Sequence, residues 1–431
     1  MAAPFASAPR RSTAKRSRGM LSARSCRAAS LCALALTLTA SGLLAQPLAD
    51  RVPSLFGGAF RTSITPRAFN DVQQPRVADQ FRTLSAALAT ARAQVPPPSA
   101  TGAFRFEFDD ASESYVRRAQ SLGPNLAERA TTLGAQTISF GFSYTRIDFD
   151  TLEGRSLRGL RSVQPALSPS FLENLPEEDR LRAADNLLET NLDFRLAFDL
   201  WFLTAGYGLT DSIDISFSLS LARAWMRGTA RAQILDPNGN GGAFFTVDQR
   251  GVVVDDPGCP GEFLCAVDRF DATAFGTGDI YLRTKWHVGD YSWADIALAQ
   301  VVTLPTGRAR DLLGFHDPTL TPWLIFSKQI GDWEPHLNLG YALRSRKDVS
   351  QALWIAGTDW RAAPWLTLAV DFLGFHDDWR DGVNDNVLQS ALGFKVNPIG
   401  QWVAAGNVQL PLNRDGLRAD VIYSVQLEYA F

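Results

Sequence analysis

Beyond its first fifty residues the chain has no unbroken apolar run of about 18 residues, the length a membrane-crossing helix needs. A helical span is therefore excluded from the rest of the chain. Net charge is also scarce, −3 over 431 residues, so nothing global draws the protein to nucleic acid. Catalytic signatures are missing as well. No G-x-S-x-G elbow, His-x-Ser pairing, phosphate-cradling glycine loop, CxxC pair or dinucleotide fingerprint occurs. Acyl-transfer chemistry needs a nucleophile, a base and an orienting group within hydrogen-bond reach, and only His336 with Asn338 hints at such a grouping, without a serine. No cofactor is expected. What remains is an average-looking composition, 46% hydrophobic and 20% charged with a mean hydropathy of −0.07. That average conceals strict alternation, which never looks hydrophobic in bulk.

Residues 1–45 read as a signal peptide. Arg10, Arg11, Lys15, Arg16, Arg18, Arg24 and Arg27 form a basic stretch, Ala28 to Leu44 a small apolar one, and Leu43-Leu44-Ala45 a cleavage site before Gln46. Met20 is an alternative start. A basic nucleic-acid arm is the competing reading, disfavoured by the secretory apolar stretch that follows directly. Cys26 and Cys32 leave with this segment, so Cys259 and Cys265 remain. A local disulfide between them suits an oxidising compartment, and two free thiols are the alternative.

From residue 136 onward, alternating runs dominate. In 188–202, Leu188, Leu192, Phe194, Leu196, Phe198, Leu200 and Phe202 share one face, and Glu189, Asn191, Asp193, Arg195 and Asp199 the other. In the last run, Leu417, Ala419, Val421, Tyr423, Val425, Leu427, Tyr429 and Phe431 oppose Arg418, Asp420, Ser424, Gln426 and Glu428. The pattern predicts strands at 136–149, 187–205, 211–226, 275–288, 293–305, 317–330, 334–346, 350–361, 365–375, 386–397, 401–412 and 417–431. About twelve strands, an even number, suit a closed antiparallel barrel. Connections alternate in length. Gly206–Thr210, Gly289–Ser292, Gly331–Trp333, Ala362–Pro364 and Pro398–Gly400 are tight, whereas 150–186 and 227–274 are long. All eleven tryptophans follow residue 200, and Trp286, Trp293, Trp333, Trp360, Trp365 and Trp402 sit beside the tight turns, where a membrane–water boundary would hold them. The fold class expected is all-β, a transmembrane antiparallel barrel. A soluble barrel with scattered core aromatics does not account for the clustering. With the apolar face turned to lipid, the expected pore-lining residues are Asp193, Arg195, Asp199, Arg283, Lys285, Arg344, Arg418 and Asp420. A wall of both signs argues against strong ion preference; the alternative is that these charges pair and brace a nearly closed lumen.

The final strand Val421–Phe431, ending on Phe431, resembles the closing strand of outer-membrane proteins, in which such an ending is the signal for the barrel insertion machinery. More narrowly, the chain resembles the "MetA-pathway of phenol degradation" transporter family. The carrying pieces are Gly206-Tyr207-Gly208-Leu209-Thr210-Asp211 with Ile213-Asp214, Gly276-Thr277-Gly278-Asp279-Ile280-Tyr281-Leu282-Arg283-Thr284-Lys285, and Leu304-Pro305-Thr306-Gly307. The resemblance covers roughly 135–431 and implies an outer-membrane barrel that admits aromatic compounds. Its motifs are turns and strand starts, silent on substrate.

Residues 46–135 differ in character, and form either a lumen plug or a periplasmic extension. Arg76–Gln94 reads as an amphipathic helix ended by Pro96-Pro97-Pro98, Phe104, Phe106 and Phe108 as a short strand, and Tyr115–Arg129 as a helix broken at Gly123-Pro124. Two weak metal patterns occur. Asp236-Pro237-Asn238-Gly239-Asn240-Gly241 matches the opening of a calcium loop, with donors Asp236, Asn238 and Asn240, but lacks the closing Glu. The echo of Leu313-Gly314-Phe315-His316-Asp317 in Leu373-Gly374-Phe375-His376-Asp377 offers His316, Asp317, His376 and Asp377 to a divalent ion only if two loops converge. The expected function is diffusion of small, aromatic or hydrophobic solutes across the outer membrane of a Gram-negative bacterium. The expected partners are membrane lipid, the insertion machinery and the solute, with no nucleic acid. A non-conducting barrel that binds partners through its long loops is the alternative, and an outer-membrane hydrolase the third.

Overall fold

A computed structural model of the chain describes residues 47–51, 61–64, 95–96, 106–109, 114–117, 121–165, 172–235, 245–248, 265–344, 350–378 and 386–430. The expected signal peptide, the helix over 76–94, the calcium-loop residues Asp236, Asn238 and Asn240, Cys259 with its pairing, and Phe431 lie outside them.

Alternation of apolar and polar side chains drives each run into an extended strand, because only a period of two separates the two faces. Twelve such strands make the wall: β1 (Ile138–Leu152), β2 (Leu187–Thr210), β3 (Ile213–Leu235), β4 (Cys265–Asp290), β5 (Asp295–Leu304), β6 (Thr319–Ser327), β7 (Trp333–Arg344), β8 (Ser350–Ala363), β9 (Leu366–Asp378), β10 (Asn386–Ile399), β11 (Trp402–Pro411) and β12 (Leu417–Ala430). Each pairs antiparallel with the next. β12 pairs with β1 through Tyr423↔Arg146, and β1 with β2 through Ile147↔Phe198, so the ring closes and leaves no free edge along its paired length. All twelve coincide with the runs read from the sequence. Their ends do not. Gly206–Thr210, expected as a turn, belongs to β2, and the chain reverses at Asp211-Ser212. β2, β3 and β4 run for 24, 23 and 26 residues, against the roughly 9–11 that a membrane core requires. The long connections shrink accordingly. The first also contributes Arg158–Pro165, which extends the wall beside the outer part of β2, and the short helix α1 (Glu177–Ala184).

The three long strands change polarity along their length. On β2 the even-numbered side chains point inward throughout. Near the short turns these are Gly208, Gly206 and Thr204; farther out they are Phe202, Leu200, Phe198, Leu196, Phe194, Leu192, Thr190 and Leu188, all buried and apolar but for Thr190. Outward positions change in the opposite sense, from the exposed Tyr207 and Leu203 to the exposed Arg195 and Asp193. β3 follows the same rule. Asp214, Ser218 and Ser220 face inward near the turn and Ala222, Ala224, Met226, Ala230, Ala232 and Ile234 beyond it, while Ile215 and Phe217 face out, then Arg223 and Arg227. The apolar face of 188–202 therefore lines the interior, which corrects the expectation that it faces lipid. Alternation defines two faces but not which of them is inside.

At the short-turn end the exposed indoles sit where the sequence placed them. Trp333 stacks on Trp360 at 5.6 Å between ring centroids, and Trp402 lies 4.8 Å from Tyr429. Tyr144, Trp201 and Phe275 form a second chain of rings, 5.6 and 6.1 Å apart, where the outer face of β1–β4 turns from apolar to charged.

Candidate functional site: a stoppered lumen

Twelve strands enclose more space than small wall side chains fill. In the short-turn half the remaining space holds residues 121–135, an irregular segment with no helix. The expected helix over Tyr115–Arg129 is absent. Ser114–Arg117 is a strand paired with Phe106–Asp109, which agrees with the strand read at Phe106 and Phe108, and Gly123 has a φ of +87°, which no helix accommodates. A buried segment without helix or ladder must find other partners for its backbone. Here inward side chains of the wall supply them.

Asn338 on β7 acts as a surrogate strand. Its Oδ1 accepts from the Glu128 amide at 2.9 Å, and its Nδ2 donates to the Glu128 carbonyl at 3.0 Å. The Leu122 amide donates to Thr367 Oγ1 at 2.8 Å, the Ala130 amide to Ser327 Oγ at 3.0 Å, and the Leu133 amide to Asp214 Oδ2 at 2.9 Å. Lys285 Nζ donates to the Thr131 carbonyl at 2.5 Å. Backbone approach is closest at Gly208, where an added Cβ would stand 1.7 Å from the Gly134 oxygen. Contacts thus come from β2, β3, β4, β6, β7 and β9, and hold the segment across the lumen.

Charge anchors the same segment. Arg129 lies 3.2 Å from Glu334 and 3.6 Å from Asp359, and Ser121 Oγ donates to Asp359 at 2.7 Å. His336 completes the cluster, with Nε2 2.6 Å from Asp371 and Nδ1 3.2 Å from Asp359. Gly357 permits this approach, since a Cβ there would meet Asp371 Oδ1 at 2.5 Å. Both imidazole nitrogens face carboxylates, so neither is directed at a hydroxyl nucleophile. The ring braces the wall rather than forming a triad.

Of the expected pore-lining residues, the structure turns Arg283, Lys285 and Arg344 inward. Arg283 pairs with Glu128, Lys285 lies 3.9 Å from Asp214, and the Arg344 guanidinium sits 4.7 Å above the Phe315 ring. Arg418 is buried and donates to the Leu388 carbonyl at 2.6 Å. The others are corrected. Asp193 and Arg195 are exposed on the outer face, beside the buried Leu192, Phe194 and Leu196. Asp199 shares that outer face, held by Tyr144 at 2.7 Å and Arg146 at 2.9 Å. Asp420 is exposed at the irregular outer end of β12. Inward carboxylates and amides that the sequence left unranked, chiefly Glu334, Asn338 and Asp359, hold the stopper. Their alternation on β7 and β8 was visible, but their common partner was not.

The turn motifs also acquire a role. Asp279 accepts from the Gly307 amide at 3.0 Å and the Phe315 amide at 2.8 Å, and Thr306 Oγ1 donates to the Gly278 carbonyl at 2.9 Å. The Gly276–Asp279 and Leu304–Gly307 motifs are thus a clasp, which draws the loop after β5 over the lumen and buries Leu313. That clasp occupies the loop of His316 and Asp317. His376 Nδ1 is 2.6 Å from Asn386 Oδ1, and Asp377 accepts from Gln351 at 2.5 Å. Among the described residues no group of three or more His, Cys, Asp or Glu side chains is placed to hold a metal ion.

Between stopper and wall lies a small cleft, a cavity of about 30 Å³, partly open to solvent. Leu126, Val301, Trp323, Ile325 and Ile355 form its apolar sides, and Glu128, Arg283 and Asn338 its polar end.

No family model matches the chain, and no curated protein resembles it in sequence. Among solved structures it is similar to an outer-membrane channel from Pseudomonas putida F1, with a TM-score of 0.42, 11% identity, and coverage of 70% of this chain and 98% of that one. A FadL homologue from Pseudomonas aeruginosa follows, with a TM-score of 0.35, 10% identity, and coverage of 78% and 99%.

Proposed function

We propose that this chain is an outer-membrane channel for the diffusion of small apolar or aromatic solutes, closed at rest by residues 121–135. One observation carries the reading: in the short-turn half the lumen is stopped by a separate, hydrogen-bonded segment and not by the wall's own side chains. A barrel built only as a scaffold can fill its interior from its strands. A removable stopper preserves a pathway. Placement in the membrane follows from the outer face. Leu203, Phe217, Val370, Phe372, Leu392, Phe394, Val425 and Leu427 are all exposed around the ring, an apolar belt far larger than the patches soluble monomers tolerate. The indoles at the short turns mark one boundary, on the periplasmic side by the usual asymmetry of loop lengths. No described helix is long and apolar enough to cross a membrane, so the crossing is made by strands. Selectivity for apolar solutes is supported by Phe194, Phe198, Phe202 and Tyr281, which line the outer interior.

The test is entry of the hydrophobic dye 1-N-phenylnaphthylamine into Gram-negative cells that express the chain with its stopper loosened by Asn338→Ala. Faster entry than in cells lacking it is expected, and equal entry with the barrel verified in the outer membrane would overturn the reading. The dense outer interior favours one second reading, a non-conducting barrel that binds partners at its long-loop end; equal entry would move the assignment there.

A further inference from the structure

We infer that Arg283 is the docking point for the carboxylate of an amphipathic organic acid, and that Glu128 of the stopper occupies its place while the lumen is closed. This deepens the channel reading and rests on it. The cleft has the required two-part chemistry. Trp323 and Ile325 form an apolar side suited to a ring or short chain, and Arg283 stands at the polar end.

The resident pair is imperfect in an informative way. Glu128 engages Arg283 through Oε1, while its Oε2 is buried with no hydrogen-bond partner among the described residues. A guanidinium fork is shaped for both oxygens of a carboxylate. Glu128 is tethered on both sides of its backbone by Asn338, and meets the fork with one oxygen. A free acid that takes the place of the Glu128 side chain beside the cleft has no such tether and can present both. The exchange conserves charge, one carboxylate for another, so Arg283 is never left as an uncompensated buried cation. Lys285, two positions along the same inward face, bonds the Thr131 carbonyl and is itself offset by Asp214, 3.9 Å away, so Arg283 is the cation that faces the cleft. Displacing Glu128 removes one tie between residues 121–135 and β4, leaving those of Lys285 and His287, so binding of the acid biases the stopper toward release. A neutral solute of the same shape has nothing to exchange.

The experiment is calorimetric titration of the refolded full-length chain in detergent with benzoate, beside benzyl alcohol as its uncharged counterpart. Saturable binding of benzoate is expected, with benzyl alcohol about tenfold or more weaker, the scale of one charge-assisted hydrogen bond. Glu128→Gln removes the competitor and should tighten benzoate. Arg283→Gln should abolish binding. The double variant Glu128→Gln/Arg283→Gln, which keeps the pair neutral should the single variant not fold, should also fail to bind. Equal binding of the two probes, or benzoate retained without Arg283, would overturn the inference. These outcomes are separable from failure of the channel reading. Dye entry without selective benzoate binding sinks the site alone, and benzoate binding without dye entry sinks the channel alone.

Discussion

Asn338 shows how much can rest on one side chain. Its amide satisfies both the N–H and the C=O of Glu128, and each buried group left unpaired costs roughly 1–3 kcal/mol. Asn338→Ala should therefore loosen residues 121–135 without harming the wall, read as faster amide hydrogen exchange at Glu128 with an unchanged barrel unfolding midpoint. Protected exchange in the variant would contradict that role. Gly208→Ala should act at the other end, since its Cβ would collide with the Gly134 backbone oxygen, 1.7 Å away; protease cleavage between 121 and 135 is the readout, and unchanged resistance counts against the account. Neither residue stood out in the sequence. Asn338 was noted only beside His336, and Gly208 only as part of a turn motif. What makes both matter is a segment some two hundred and some seventy residues away in the chain, and single-residue patterns carry no information about such a partner.

At the scale of elements, strand positions were readable because alternation is local. All twelve strands were, with errors confined to ends and to the length of β2–β4. Face assignment was not, because the same alternation serves a lipid-facing wall and a packed interior. In β2 it serves the second over Leu188–Phe202, so Asp193, Arg195 and Asp199 fall outside. Two substitutions separate the cases. Phe198→Ala should destabilise the barrel by about 3–5 kcal/mol through loss of a buried ring, whereas Arg195→Ala, three positions away and exposed, should change stability by less than about 0.5 kcal/mol. Denaturant midpoints in lipid or detergent measure both, and the reverse order would restore the discarded face. In the belt, Leu392→Arg should cost about 2–4 kcal/mol if it lies near the bilayer midplane. Its folding efficiency in lipid vesicles should drop, and wild-type efficiency would exclude that position from the membrane. The stopper was misread as helix because an apolar spacing in Tyr115–Arg129 resembles one. Gly123, Pro124 and the hydrogen-bonding side chains of the wall decide the irregular path instead.

For the whole molecule, the strands combine two environments in one ring. The short-turn half is apolar outside and polar within, as a membrane wall with a polar lumen should be. The outer part of β1–β4 is the inverse, charged outside with Phe149, Phe194 and Phe198 buried within, as a water-exposed extension should be. In the proposed closed state residues 121–135 stop the short-turn half, and the Asp279 clasp holds the loop after β5 against the packed outer interior. About a dozen polar contacts hold these two pieces, and the central claim is that residues 121–135 are the barrier. Single-channel conductance in a planar bilayer tests it most directly, comparing the full chain with one lacking residues 46–135. The account predicts long closed periods in the full chain and large, sustained conductance steps in the truncated one. Identical conductance in the two, with both barrels verified as folded, would show that residues 121–135 do not stop the lumen.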